Sequence, residues 1–217
     1  NAPDWKAFRA SLAEELEALE PDMERQMDVM RERHHAQVFR LLTQDLAGLL
    51  TVEKLADHLS ALAAIVPALT LPLCWRRIKI RHREAPKFAV ISYGKLGGKE
   101  LGYASDLDLV FLYDDDAPEA AEVYTRLGQR ANTWLSSQTA AGLLFETDLR
   151  LRPNGDSGMI ATALEAFRKY QLESAWVWEH QALTRARFTA GDAQIGAAFE
   201  RIRCEVLCLP RELENLK

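Results

Sequence analysis

Apolar residues recur at spacings of three and four through the first third of the chain. Trp5, Phe8, Leu12, Leu16 and Leu19 predict an amphipathic helix over residues 4–20, stopped by Pro21. Asp22 is placed to cap a second helix, whose apolar members are Met23, Met27, Met30, Val38, Leu41 and Leu42 and whose end is Gly48. Thr51 with Glu53 opens a third, with a stripe of Leu55, Leu59, Leu62 and Val66; it is expected to end near Pro67, and a shorter helical segment to follow around Trp75 and Ile78. After Pro86 the pattern changes. Phe88 to Ile91 and Leu107 to Tyr113 are apolar runs of strand length, and Leu143 to Pro153 alternates. That alternation puts Glu146, Asp148, Arg150 and Arg152 on one face and Phe145, Thr147, Leu149 and Leu151 on the other. A helix over 120–140 turns Val123, Leu127, Ala131, Trp134 and Leu135 inward. The Asn154-Gly155 turn predicts a β-hairpin with a strand over 159–162. Helical signals then cover 164–181, where Trp176 and Trp178 are expected to pack between helices, with adenine stacking on one of them as the alternative, and a strand near 184–188 would present Arg185 and Arg187 together. The last helix carries Ile195, Phe199, Ile202, Val206 and Leu209 and stops at Pro210. The expected class is α+β, a mixed sheet preceded and followed by helices.

Composition narrows the function. A chain of 217 residues with 48% hydrophobic content can bury a full core. Its net charge of −5 argues against a nucleic-acid surface. The basic run from Arg76 to Arg83 is expected to be a solvated helix face and linker, and Asp114-Asp115-Asp116 a solvated loop. His34-His35 is expected at the surface. Cys74, Cys204 and Cys208 fit a reducing, cytoplasmic setting without a disulfide framework, and Cys204 and Cys208 lack the partners of a zinc site. The uncharged stretch 59–75 approaches membrane-spanning length, but with Pro67 and Pro72 inside it a buried helix is the better expectation. The chain opens on Asn1, as expected of a piece of a longer protein.

The chemistry concentrates between residues 88 and 152. Asp106 and Asp108 point to one side of their strand, with Cα atoms about 7 Å apart, while Leu107 and Leu109 point into a core. Two carboxylates on an apolar strand need a cationic partner, and a divalent metal is the simplest. If the third strand pairs beside the second, Asp148 joins them. Three carboxylates could hold two Mg²⁺ ions about 3.5–4 Å apart, an arrangement that clamps attacking and leaving oxygens in phosphoryl-type displacement. Arg150 and Arg152 on the same face would meet phosphate oxygens. Gly97-Gly98, followed by Lys99 and Glu100, is expected to turn into a short helix with amides free for an anion; it lacks the Gly-Lys-Ser/Thr of a Walker loop.

Gly97-Gly98, then Asp106-Leu-Asp108, then Asp148, resembles the DNA polymerase β-like nucleotidyltransferase superfamily. The longer strings Tyr93-Gly-Lys-Leu-Gly-Gly-Lys-Glu-Leu-Gly-Tyr-Ala-Ser-Asp-Leu-Asp-Leu109 and Asp148-Leu-Arg-Leu-Arg-Pro-Asn-Gly155 resemble the glutamine-synthetase adenylyltransferases, and the resemblance continues through Ala175 to Arg187. It implies a polymerase β-like core over 85–190, an N-terminal helical region over 1–84 and, over 191–217, a helix leading to a further domain. It also implies ATP and Mg²⁺, with Asp106 and Asp108 bridging two metals and Asp148 holding the metal that engages a tyrosine hydroxyl. Gly97, Gly98 and Ser105 would cradle the triphosphate, and Arg150 or Arg152 would offset charge on pyrophosphate. The implied partners are glutamine synthetase as protein substrate and a PII-type signalling protein as regulator, with no nucleic acid and no membrane. Such enzymes have one half that adds AMP and another that removes it. Tyr93 before Gly94, and Gly102-Tyr103 before the aspartates, resemble the adding half. The alternatives are the phosphorolytic removing half and a catalytically silent nucleotide-sensing module.

Overall fold

A computed structural model describes residues 3–210. Three long helices come first, α1 (Trp5–Ala18), α2 (Met23–Leu46) and α3 (Val52–Arg76). Their starts are side-chain caps: Asp4, Asp22 and Thr51 accept from the amides of Ala7, Arg25 and Lys54 at 2.9, 3.0 and 3.4 Å. The third helix overturns one expectation, because it runs through both Pro67 and Pro72 and absorbs Trp75 instead of ending near Pro67. A proline inside a helix costs about 3 kcal/mol, whereas burying one large apolar side chain stabilises by about 1.5–3 kcal/mol. Leu59, Leu62, Ile65, Val66, Leu71, Leu73 and Trp75 are all buried, so packing outweighs the two lost hydrogen bonds. This helix is long and apolar enough to cross a membrane, yet 67% of its most apolar window is buried inside the molecule.

The sheet is mixed, as expected. Strands β1 (Phe88–Ser92), β2 (Leu107–Tyr113), β3 (Thr147–Asp148) and β5 (Arg187–Gly191) lie in the order β3-β2-β1-β5, and β4 (Ala161–Ala163) also pairs with β2. β1 is antiparallel to β2 and β5, while β3 and β4 both run parallel to β2. Two expectations are corrected here. No hairpin joins β3 to β4; each pairs with a different stretch of β2, β3 at Leu107–Asp108 and β4 at Phe111–Tyr113. The long strand expected over 143–153 shrinks to two residues. Its end is local chemistry: Asp148 Oδ1 accepts the amide of Arg150 at 2.8 Å, and the Arg152 amide then donates to Leu149 O, so the backbone curls out of the sheet.

The parity of β1 and β2 divides the interior. Phe88, Val90, Leu107, Leu109 and Phe111 pack against α1, α2, α3 and α5 (Ala120–Ser136). Ala89, Ile91, Val110 and Leu112 pack against α6 (Leu164–Glu173), α7 (Val177–Leu183) and α8 (Ala193–Leu207) from the other side, with α4 (Gly94–Gly97) a single turn after β1. The helices before residue 85 thus share one core with the sheet that follows.

Two polar groups expected in solvent are inside. The Asp115 side chain is fully buried, accepting from Arg83, His82, the Tyr124 hydroxyl and the Ala117 amide, which hold its carboxyl far below the usual carboxylate range. His34 lies 6% exposed, edge-on to Phe145 at 4.8 Å, and burial pushes its imidazole down to about 3. The basic run is largely paired within the chain: Arg76 meets Glu17, Arg77 meets Glu20, and Arg83 meets Asp115.

Candidate active site

β2 sets the first two carboxylates. Asp108 shares its face with Val110 and Leu112, and Asp106 precedes the strand by one residue, where the covering helices no longer reach. Parallel pairing puts Asp148 directly opposite Asp108, and ligand oxygens of Asp106, Asp108 and Asp148 all lie within 4.8 Å of one another. The expected convergence of the three acids is therefore present, and the neighbouring leucines, Leu107 and Leu109, are fully buried on the opposite face.

The carboxylates are not equivalent. Asp108 is half-buried, and its carboxyl is raised by burial first and by the charges of Asp106 and Asp148 next, with Arg150 and Lys95 opposing. Asp148 is lowered, chiefly by hydrogen bonds from the Arg150 side chain. That guanidinium reaches both oxygens, with Nε at 3.1 Å from Oδ1 and 2.9 Å from Oδ2. Among the described residues neither Asp106 nor Asp108 has a salt-bridge partner. A cluster of negative charge with one raised carboxyl and little fixed positive charge fits a divalent cation held by oxygen ligands.

The glycine segment differs from its expected shape. Gly97-Gly98 ends the short helix instead of opening one, and their amides already donate to Tyr93 O and Gly94 O at 2.8 and 3.0 Å. Gly97 is needed for close approach: a Cβ there would stand 2.1 Å from Arg185 O. Arg185 and Arg187 both serve this segment. Arg187 donates to Gly97 O and Leu96 O, and Arg185 pairs with Glu100. Ser105 accepts the Gly102 amide at 2.9 Å and shapes the turn into Asp106.

Arg150 and Arg152 separate. Arg150 is 73% exposed on the aspartate face, whereas Arg152 is 12% exposed and ties its own loop, donating to Leu149 O and Gly158 O. The alternation that paired them fails because the strand stops at Asp148. Sequence reasoning missed two contributors. Gly94 has φ +51°, and a Cβ there would lie 2.0 Å from Asp108 Oδ2, so the Asp108 carboxylate is seated only because this residue is glycine. Lys95 is the other, exposed and close enough to oppose the rise on Asp108. The crowded string Tyr93-Gly94-Lys95 was a signal, but only the register of β1 on β2, with the Tyr93 amide bonded to Asp108 O, points it at Asp108. Trp176 and Trp178, expected to pack between helices, are instead 70% and 54% exposed.

A sequence profile of the glutamate-ammonia ligase adenylyltransferase family matches residues 1–202. The chain is similar, at 79% identity over its full length, to a bifunctional glutamine synthetase adenylyltransferase/adenylyl-removing enzyme of Aromatoleum aromaticum, and covers 23% of that protein. Proteins of the same description from Ralstonia nicotianae, 57% identical over the full chain, and Neisseria meningitidis serogroup B, 58% identical over 96% of it, are likewise covered to 23%. The chain thus spans about a quarter of the length of the curated relatives it matches. With three converging aspartates on a mixed sheet and a profile match that takes in the helices as well as the sheet, the chain belongs to the glutamate-ammonia ligase adenylyltransferase family.

Proposed function

We propose that this chain transfers AMP from ATP to a tyrosine hydroxyl of glutamine synthetase, in the cytoplasm, and so regulates nitrogen assimilation. The observation that carries the proposal is the meeting of Asp106, Asp108 and Asp148 within 4.8 Å on one face of the sheet. These carboxylates would hold two Mg²⁺ ions, which when bound offset phosphate charge and favour the phenolate of a tyrosine that otherwise titrates near pH 10. Asp106 and Asp108 would hold both ions, and Asp148 would hold the one nearer the incoming hydroxyl. The phenolic oxygen attacks the α-phosphorus of ATP, and pyrophosphate departs in line.

Arg150 has a second use. Its ion pair with Asp148 is formed by a side chain that is 73% exposed, and such pairs are worth little in water, so the guanidinium can exchange Asp148 for a phosphate oxygen at small cost. Gly97, Gly98 and Ser105 belong to the nucleotide-binding turn by holding α4 and the residues before Asp106 against the sheet. Arg152 acts one step back, by shaping the loop that presents Arg150. A PII-type signalling protein as regulator belongs to the same reading of the longer enzyme.

Tyr93 before Gly94, and Gly102-Tyr103, favour the adding over the removing direction. The test uses radiolabelled nucleotide. Given ATP, Mg²⁺ and unmodified glutamine synthetase, the chain should label the synthetase with AMP; given adenylylated synthetase and phosphate, it should release no ADP at a comparable rate. Rapid ADP release without labelling would reverse the direction, and no turnover in either assay would leave a nucleotide-sensing module.

A further inference from the structure

We infer that the cleft bounded by Trp176 and Trp178 is the nucleobase subsite, with these indoles as the stacking platform for adenine; this rests on the nucleotidyl-transfer reading above. The two residues open α7, and at 70% and 54% exposure they are uncovered although the same short helix buries Glu179 and Leu183. Large aromatic side chains bring most of their stabilisation through burial, so two neighbouring indoles left in water are not there to hold the helix in place. They line a cleft of about 470 Å³, with Tyr170, Asn154 and Arg150 among its other walls. That size lies within the roughly 300–1,000 Å³ of small-molecule sites.

Arg150 connects the cleft to the aspartates. The same guanidinium that bonds both oxygens of Asp148 forms part of the cleft wall, so the cleft begins where the phosphate-transfer site ends. A nucleotide whose phosphates lie at Asp106, Asp108 and Asp148 then has its base directed toward the indoles. The floor is fixed in advance. Glu179 accepts from the Tyr170 hydroxyl at 3.0 Å and from the Trp176 amide at 2.8 Å, which locks α6 to the start of α7 without any ligand. Stacking alone does not select a base. Asn154, at the rim with φ +63°, has the donor–acceptor pair that matches the adenine edge. A protein partner on the same indoles is the competing occupant, but concavity and the shared Arg150 favour a ligand that also reaches the aspartates.

The experiment measures equilibrium binding of Mg–ATP and of inorganic tripolyphosphate to the 217-residue chain and its variants. Trp176→Ala and Trp178→Ala should each weaken ATP about tenfold, the usual scale for losing one stacked base, and leave tripolyphosphate unchanged. Trp→Phe at either position should restore most of the ATP affinity, which a merely disrupted fold would not do. Unchanged ATP affinity in the double alanine variant overturns the base subsite while leaving nucleotidyl transfer standing. The base subsite is equally overturned if only the KM for glutamine synthetase rises, since the indoles would then dock the protein. Failure of the unsubstituted chain to bind Mg–ATP removes both proposals.

Discussion

Gly94 adopts φ +51° one residue after Tyr93 leaves β1, and nothing larger than hydrogen fits between it and the Asp108 carboxylate. Gly94→Ala therefore combines the strain of a left-handed backbone, of order 1 kcal/mol, with the eviction of a carboxylate oxygen from the site. The expected result is loss of nearly all transfer activity with only a modest fall in melting temperature, read by turnover and thermal melts on one preparation. Melting far below the parent would make this glycine a folding residue first. For the aspartates the expectation is cleaner. Asp106→Asn, Asp108→Asn and Asp148→Asn should each reduce kcat by at least about a hundredfold, the scale seen when one preorganised electrostatic group is lost. Asp108→Asn should melt no lower than the parent in metal-free buffer, because it removes a half-buried charge repelled by two neighbours. Full turnover by Asp148→Asn at saturating Mg²⁺ would exclude that residue from the chemistry.

At the scale of the elements, α2 supplies a pH-dependent contribution through His34. In the folded chain the imidazole stays neutral down to about pH 3, while in the unfolded chain it protonates near 6.5. Its contribution is complete above about pH 6.5 and declines at roughly 1.4 kcal/mol per pH unit as the pH falls toward 3. His34→Leu should flatten the fall of melting temperature between pH 6.5 and 5; equal slopes in parent and variant would refute the assignment. The same helix shows the limit of reading the sequence. Capping residues and apolar stripes locate α1, α2, α5 and α8 because those signals are local. The end of α3 is hidden because its prolines are overruled by packing that sequence periodicity does not contain. Nothing local marks His34 and Asp115 as buried, because their partners, Phe145 and Arg83, lie far along the chain, the second of them 32 residues away. The Asp106–Asp108 pair is legible because parity within a strand needs no tertiary information, whereas Asp148 joins it only through the pairing of β3 on β2, and the glycine contacts likewise depend on strand register.

Across the whole molecule, Asp115 joins the segment leaving α3 to the turn between β2 and α5. Four groups converge on it, so Asp115→Ala strands a buried tyrosine hydroxyl and a histidine together with the charge of Arg83. A drop in melting temperature of roughly 5 °C is expected, in a single transition, because the N-terminal helices and the sheet share one hydrophobic cluster. Two separated transitions on calorimetry would mean that the helices and the sheet melt independently.

The two short parallel strands on β2 have a consequence for diversification. Residues 149–160 leave the sheet after Asp148 and return at Ala161 to the same neighbouring strand, so the segment hangs between two anchors like an exchangeable cassette. Loop length is thermodynamically cheap, each doubling adding only about 0.6 kcal/mol of closure entropy. Lengthening, shortening or rewriting this cassette beyond Arg150 can therefore retune the cleft wall while Asp148 keeps its place opposite Asp108. Exchanging this segment for that of a relative should alter what the cleft accepts without rebuilding the carboxylate cluster.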